Sequence, residues 1–264
     1  MIFLVNSEKK KKKVILNLFK QRASDGKKSL ALLIDPDDIN ESGLTAVINA
    51  AIENRVDYFF VGGSLITTSN LAPVIESIKS QSNIPCVLFP GNAIHIHSDA
   101  DAILFLSLIS GRNPELLIGQ HVVAAPVIKR SKLEVIPTGY MLIHSGKPTS
   151  VSYMSNTQPI PNDKPSLAVS TAMAGEMLGL QCIYMDAGSG AMEPVPSKMI
   201  KAVKRNIEVP LIIGGGLNTT RKAKEALEAG ADIIVIGNAA QKNLSILAEV
   251  SDVVQCFNQE LNVN

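Results

Sequence analysis

Pro210-Leu-Ile-Ile-Gly-Gly-Gly216 and, one helical segment later, Ala231-Asp-Ile-Ile-Val-Ile-Gly-Asn238 decide how this chain is read. Each is a short run rich in Ile and Val that ends in glycine. That is the pattern of a buried parallel strand whose C-terminal end lets something close to its backbone. With no Cβ in the way, the N–H groups of Gly214, Gly215, Gly216, Gly237 and Asn238 can converge on one anion near a helix N-terminus, where the dipole favours negative charge. One such run marks only a tight turn. Two consecutive βα loops of this kind form the common phosphate site near the end of a (β/α)8 barrel.

Working outward, the same strand-then-helix rhythm fills the rest of the chain. Ser29-Leu-Ala-Leu-Leu-Ile-Asp35 is a first strand stopped by Pro36, with a helix from Asn40 or Ser42. Asp57-Tyr-Phe-Phe-Val-Gly-Gly63 is the second strand, and the helix after Asn70 accommodates Pro73 in its first turn. Pro85-Cys-Val-Leu-Phe-Pro-Gly91 and Asp101-Ala-Ile-Leu-Phe-Leu-Ser107 follow so closely that the third helix is expected to be replaced by a loop over the site. A fifth unit runs from about Glu134 through Pro137-Thr-Gly-Tyr-Met-Leu-Ile143 into residues 147–164, a polar, Pro-containing stretch without helical period. Such long loops are usually functional or mobile. Helical pattern resumes at Ser170 to Leu178, Gln181-Cys-Ile-Tyr-Met-Asp186 is the sixth strand, and Ser197 to Asn206 is a helix. The reading is one α/β domain over residues 1–264, a (β/α)8 TIM barrel at about 29–240 with an extra N-terminal helix at about 7–24 and a C-terminal helix at about 241–264.

Composition agrees with a parallel barrel. Hydrophobic residues make up 46% and aromatics 4%, with no Trp, so the core is aliphatic. The formal net charge of +1 excludes a nucleic-acid protein that needs a broad basic face. Lys9 to Lys13 reads as the solvated start of an outer helix, the alternative being transient attraction to an anionic membrane surface. Cys86, Cys182 and Cys256 are scattered and suggest neither a disulfide framework nor a zinc site. The N-terminus lacks the order of a signal peptide and no apolar stretch reaches spanning length, so a cytoplasmic protein is expected.

Functional groups in such a barrel sit just past strand C-termini. Asp35-Pro-Asp-Asp38 offers oxygen ligands suited to Mg²⁺, which binds through one or two carboxylates plus substrate phosphates. Asp37 and Asp38 read as caps of the following helix. Ser64, in Val61-Gly-Gly-Ser64, either completes a metal or diphosphate site beside Asp35 or caps a helix. Asp186, in Tyr184-Met-Asp-Ala-Gly-Ser-Gly190, faces a ligand held by its phosphate and can accept a proton from its hydroxyl. The alternative is a loop aspartate bonded to backbone N–H groups. His95-Ile-His97 resembles half of a zinc site, but the rest of that ligand set is missing. Nucleophile-elbow, Walker and dinucleotide fingerprints are absent.

Taken together, Leu32-Leu-Ile-Asp-Pro-Asp37, Val61-Gly-Gly-Ser64, Phe89-Pro-Gly-Asn92, Pro137-Thr-Gly-Tyr140, Tyr184-Met-Asp-Ala-Gly-Ser-Gly190, Gly214-Gly-Gly216 and Ile236-Gly-Asn238 resemble the geranylgeranylglyceryl phosphate synthase family of prenyltransferases, in its bacterial branch. The resemblance implies a barrel lacking its third helix. It implies transfer of a prenyl group, usually geranylgeranyl, from its diphosphate to the C3 hydroxyl of sn-glycerol 1-phosphate in ether-lipid synthesis, with release of diphosphate and a requirement for Mg²⁺. By resemblance, Asp35 and Ser64 hold the metal. Tyr184, Met185, Asp186, Ala187, Gly188, Ser189, Gly190, Gly215, Gly216, Gly237 and Asn238 bind glycerol phosphate, and a homo-oligomer is implied. Asp186 stands where glutamate is usual, which separates a role as base from one in orienting the acceptor. Tyr140 is a candidate catalytic residue, either turning its face to the developing allylic cation or packing at the barrel top. Two other readings of the same barrel are a phosphosugar isomerase or epimerase, and a non-catalytic phosphate-dependent scaffold.

Overall fold

The computed structural model describes residues 14–63, 70–93, 95–237 and 243–261. Eight strands close into one parallel barrel: β1 (Ser29–Ile34), β2 (Tyr58–Gly62), β3 (Cys86–Phe89), β4 (Ala102–Leu108), β5 (Glu134–Leu142), β6 (Cys182–Asp186), β7 (Leu211–Gly214) and β8 (Ile233–Ile236), with β8 paired to β1. Nine helices are described: α1 (Val14–Ser24), α2 (Glu41–Glu53), α3 (Leu71–Gln81), α4 (Gln120–Arg130), α5 (Ser150–Ser155), α6 (Pro165–Met177), α7 (Ser197–Lys204), α8 (Thr220–Glu228) and α9 (Leu244–Glu260). A π-helical turn, Glu115–Gly119, leads into α4. The described residues between β3 and β4 contain no helix, so the barrel lacks its third one as expected.

Strand alternation splits the apolar residues into two cores. Side chains such as Leu32, Ile34, Ile183, Met185 and Ile213 face outward to the helices. Ala31, Tyr58, Phe60, Leu104, Ile136, Cys182, Tyr184, Ile212 and Val235 fill the barrel. Helix α1 closes the bottom of that inner core. Ile15, Leu16 and Phe19 join it, and Phe19 meets Tyr58 edge-on with ring centroids 4.8 Å apart. The Glu134 carboxylate holds the plug in place, accepting from Ile15 N–H and Leu16 N–H at 2.8 Å each. It thereby satisfies two of the donors that a helix start leaves unpaired.

Acids at the same end stitch neighbouring strands. Asp57, Asp101 and Asp232 stand just before β2, β4 and β8 and accept from the backbone N–H of Leu30, Cys86 and Leu211 near the starts of β1, β3 and β7. Each also pairs with a cation, Arg22, Lys79 or Lys204. The stitches lie opposite the mouth, where they fix the scaffold without entering its chemistry.

Three local expectations change. Residues 147–164 contain the short helix α5, where Ser152 Oγ accepts from Thr149 N–H at 3.0 Å. Helix α6 starts at Pro165, whose ring suits a first helical turn, rather than at Ser170. The N-cap of α2 is Asn40, which accepts from Gly43 N–H at 2.8 Å, in place of Asp37 or Asp38, and those two line the mouth. The Lys9 to Lys13 run lies outside the described residues.

Candidate active site

Asp186 is the last residue of β6, set between Leu142 of β5 and Gly214 of β7. Alternation turns Tyr184 and Asp186 inward. The side chains of Met185 and Ala187 therefore pack among the outer helices, which leaves backbone groups as their route to the acceptor site; Ala187 N lies 2.7 Å from where a Cβ on Gly215 would stand. Asp186 is only 7% exposed. Its Oδ1 accepts from Gly188 N–H at 2.8 Å and its Oδ2 from the Tyr140 hydroxyl at 2.5 Å. Burial pushes the Asp186 carboxyl up, and the bonds from Tyr140 and Gly188 pull it back. Burial, with the charge of Asp186 next, holds the Tyr140 phenol well above its ordinary range.

The glycine run of β7 lies against this carboxylate. A Cβ on Gly215 would come 2.6 Å from Asp186 Oδ1 and 2.6 Å from Gly188 N, and φ there is +78°. Ser189, Gly190, Gly215, Gly216 and Gly237 share a cavity of about 1020 Å³ with Asp186. Asn238 lies outside the described residues.

Across that cavity stands Asp35, just beyond β1. It is half-buried, and burial pushes its carboxyl up against the pull of Asp37 N–H, which donates to Oδ1 at 3.1 Å; the charges of Asp38 and Asp37 push it further. The backbone at the end of β2 backs it closely, since a Cβ on Gly63 would lie 2.8 Å from Oδ2. Ser64 follows, outside the described residues. Among the described residues, Asp35, Asp37, Asp38 and Asp186 line the cavity and no Lys, Arg or His does. No group of three or more His, Cys, Asp or Glu among the described residues forms a metal cage. Mg²⁺ does not need one, because it takes one or two carboxylates with phosphate oxygens and water, so the Asp35 rim fits it. Of the His95 and His97 pair, His95 is buried and accepts from Gly91 N–H at 3.3 Å through Nδ1.

A second cavity of about 350 Å³ adjoins the first, in the gap left by the missing helix. Its walls are chiefly apolar, with Phe105, Leu106 and Leu108 from β4, Leu116, Ala124 and Ile128 from the π turn and α4, and Val151 from α5. Gly63, Phe89 and Met154 line both cavities. Tyr140 lines the apolar one, with Phe89 and Tyr184 edge-on to its ring at 6.0 and 5.5 Å between centroids. No stretch of sequence signals this groove, because its walls come from six separate segments.

The sequence model of the PcrB family matches residues 25–254. A relative from Spirosoma linguale named geranylgeranylglyceryl phosphate synthase is 52% identical over 236 residues, covering 89% of this chain and 95% of its own. One of the same name from Chitinophaga pinensis is 51% identical over 240 residues, covering 91% and 95%. Among solved structures, (S)-3-O-geranylgeranylglyceryl phosphate synthase from Thermoplasma acidophilum, in complex with its substrate sn-glycerol-1-phosphate, superposes with a TM-score of 0.86 at 30% identity, covering 91% of this chain and 98% of that one.

Proposed function

The chain belongs to the PcrB family, and from that premise we propose that it is a prenyltransferase that joins the C3 hydroxyl of sn-glycerol 1-phosphate to a long-chain prenyl diphosphate, probe of choice geranylgeranyl diphosphate. The observation that carries this reading is the paired cavity: an acidic, glycine-floored mouth joined through Phe89 to an apolar groove. The mouth suits a phosphomonoester and a diphosphate. The groove suits a hydrocarbon tail, each buried CH₂ contributing about 0.8 kcal/mol.

Backbone N–H groups of Gly215, Gly216 and Gly237 hold the acceptor's phosphate, the device that glycine-ended barrel strands supply. Asp186 receives the proton of the C3 hydroxyl as the new C–O bond forms at the allylic carbon and the old C–O bond to diphosphate breaks. Asp35, together with Ser64 next to Gly63 in the sequence, would hold Mg²⁺, which would offset the charge building on the departing diphosphate. Phe89 and Met154 line both cavities and so stand where the reacting carbon would pass from groove to mouth.

The enzyme acts in the cytoplasm as a homo-oligomer, with transient contact at an anionic membrane surface through Lys9 to Lys13. Support for a second copy comes from α4 and the turn before it, where Ile118, Val122 and Val123 are 60%, 66% and 64% exposed, an apolar face that favours a partner of the same kind. Among the described residues no helix is long and apolar enough to cross a membrane.

The experiment is a series of prenyl diphosphates of increasing length, assayed with sn-glycerol 1-phosphate for diphosphate release with Mg²⁺ and with excess chelator. Asp35→Ala should lower turnover by about 100-fold or more and leave acceptor affinity nearly unchanged. Equal loss of both would contradict the division between the two sides of the mouth.

A further inference from the structure

Tyr140 reaches the site from β5, and its neighbours fix which part of it meets the reaction. The ring is 6% exposed, opposite Tyr184 in the strand register and pinned edge-on by Phe89 and Tyr184. Its hydroxyl is turned to Asp186 Oδ2, at 2.5 Å, while Gly188 N–H takes Oδ1. An ionised carboxylate has about four lone-pair sites, so these two bonds set its plane and leave one site on each oxygen for a ligand hydroxyl. Tyr184, from its own strand, also faces Asp186, and Asp35, Asp37 and Asp38 line the same cavity from beyond β1. No Lys, Arg or His among the described residues lines the cavity it faces. Burial pushes this carboxyl toward its neutral form, and the bonds from Tyr140 and Gly188 oppose that push.

We propose that Tyr140 is a positioning residue for the base: its hydroxyl orients the Asp186 carboxylate and favours its ionised form. The inference rests on the prenyltransfer reading and deepens it. Removing the hydroxyl takes away one of the two donors that oppose burial at Asp186. The sign follows directly. A base must be deprotonated to work, so activity falls as pH drops through the carboxyl's pKa, and raising that pKa moves the acidic limb to higher pH.

The test is Tyr140→Phe, which keeps the ring, followed by the pH profile of kcat/KM for sn-glycerol 1-phosphate. The acidic limb should move up by about one pH unit or more, the scale of a lost hydrogen bond to a charged group, and activity should largely recover at alkaline pH. Incorporating 3,5-difluorotyrosine at position 140, a stronger donor of the same shape, should move the limb down. Parallel profiles, with the same loss at every pH, would overturn the proposal in favour of a packing or cation-facing role. Carboxyl-carbon NMR of aspartate-labelled protein reads the midpoint of Asp186 without turnover. A wild-type protein that releases no diphosphate therefore sinks the prenyltransfer reading, whereas an Asp186 midpoint unmoved by Tyr140→Phe sinks this one.

Discussion

Gly215 shows why the glycine run has the composition it has. Its φ of +78° is the left-handed region, which costs an L-residue about 1–2 kcal/mol, and its missing Cβ is the space that Asp186 Oδ1 and Gly188 N occupy from 2.6 Å away. Gly215→Ala should therefore do more than strain a turn. It should push the carboxylate out of the plane set by Tyr140 and Gly188 and lower affinity for sn-glycerol 1-phosphate by about tenfold or more, a loss of about 1.4 kcal/mol. Calorimetric titration measures this, and unchanged affinity would remove Gly215 from the acceptor site. Glycines are legible in sequence because few other reasons place three together at a strand end. The Tyr140 to Asp186 bond is not, since 46 residues separate its partners and only barrel closure brings them together. Met185 and Ala187 enter the expected site as parts of a contiguous motif, and only their backbone can serve it. The two-residue period of a strand sends their side chains to the other face.

Among the elements, α1 depends most on a single distant side chain. The inner core it plugs is apolar, but the orientation of the plug is set where Glu134 accepts from Ile15 N–H and Leu16 N–H. Glu134→Gln replaces one acceptor oxygen by an NH₂ that faces an N–H, leaving a donor without a partner in a buried place. Unfolding free energy should fall by about 1.5–3 kcal/mol, the range for hydrogen bonds to a charged acceptor. Urea unfolding measures it. Acceptor affinity should stay within about twofold, since conserving the opposite end of a barrel serves stability; a larger change would mean that the plug and the mouth are coupled. The strands and most helices were legible from period and turn residues. Helix α5 was not, because its six residues are too few to show a helical period and three of them are serine. The strand-stitching aspartates escaped for a different reason: an acid just before a strand also reads as an ordinary turn residue, and its partners are on a neighbouring strand.

At the scale of the whole molecule, a chain of nearly balanced charge gathers four carboxylates at one mouth and sets an apolar groove beside it. Closure of the barrel makes the mouth, and the missing helix after β3 makes the groove. The sequence announced both causes, but the groove's walls are drawn from too many segments for any motif to mark them. Helix α5 spans the boundary. Thr149, Ser150 and Tyr153 in and beside it turn to the acidic mouth, while Val151 turns to the groove and packs on the inner core. A bulky residue at 151 should therefore act on one substrate only. Val151→Trp places an indole where the donor's tail would lie and removes room for several CH₂ groups, each contributing about 0.8 kcal/mol. The KM for a long prenyl diphosphate should rise by about tenfold or more, with a smaller rise for a shorter donor, because fewer of its carbons reach the filled volume. Affinity for sn-glycerol 1-phosphate should not change, since the residues proposed to hold it line the other cavity. Steady-state kinetics over the donor series, together with acceptor titration, separate the two effects. If donor and acceptor weaken together, α5 is one support shared by both cavities and not a wall between them.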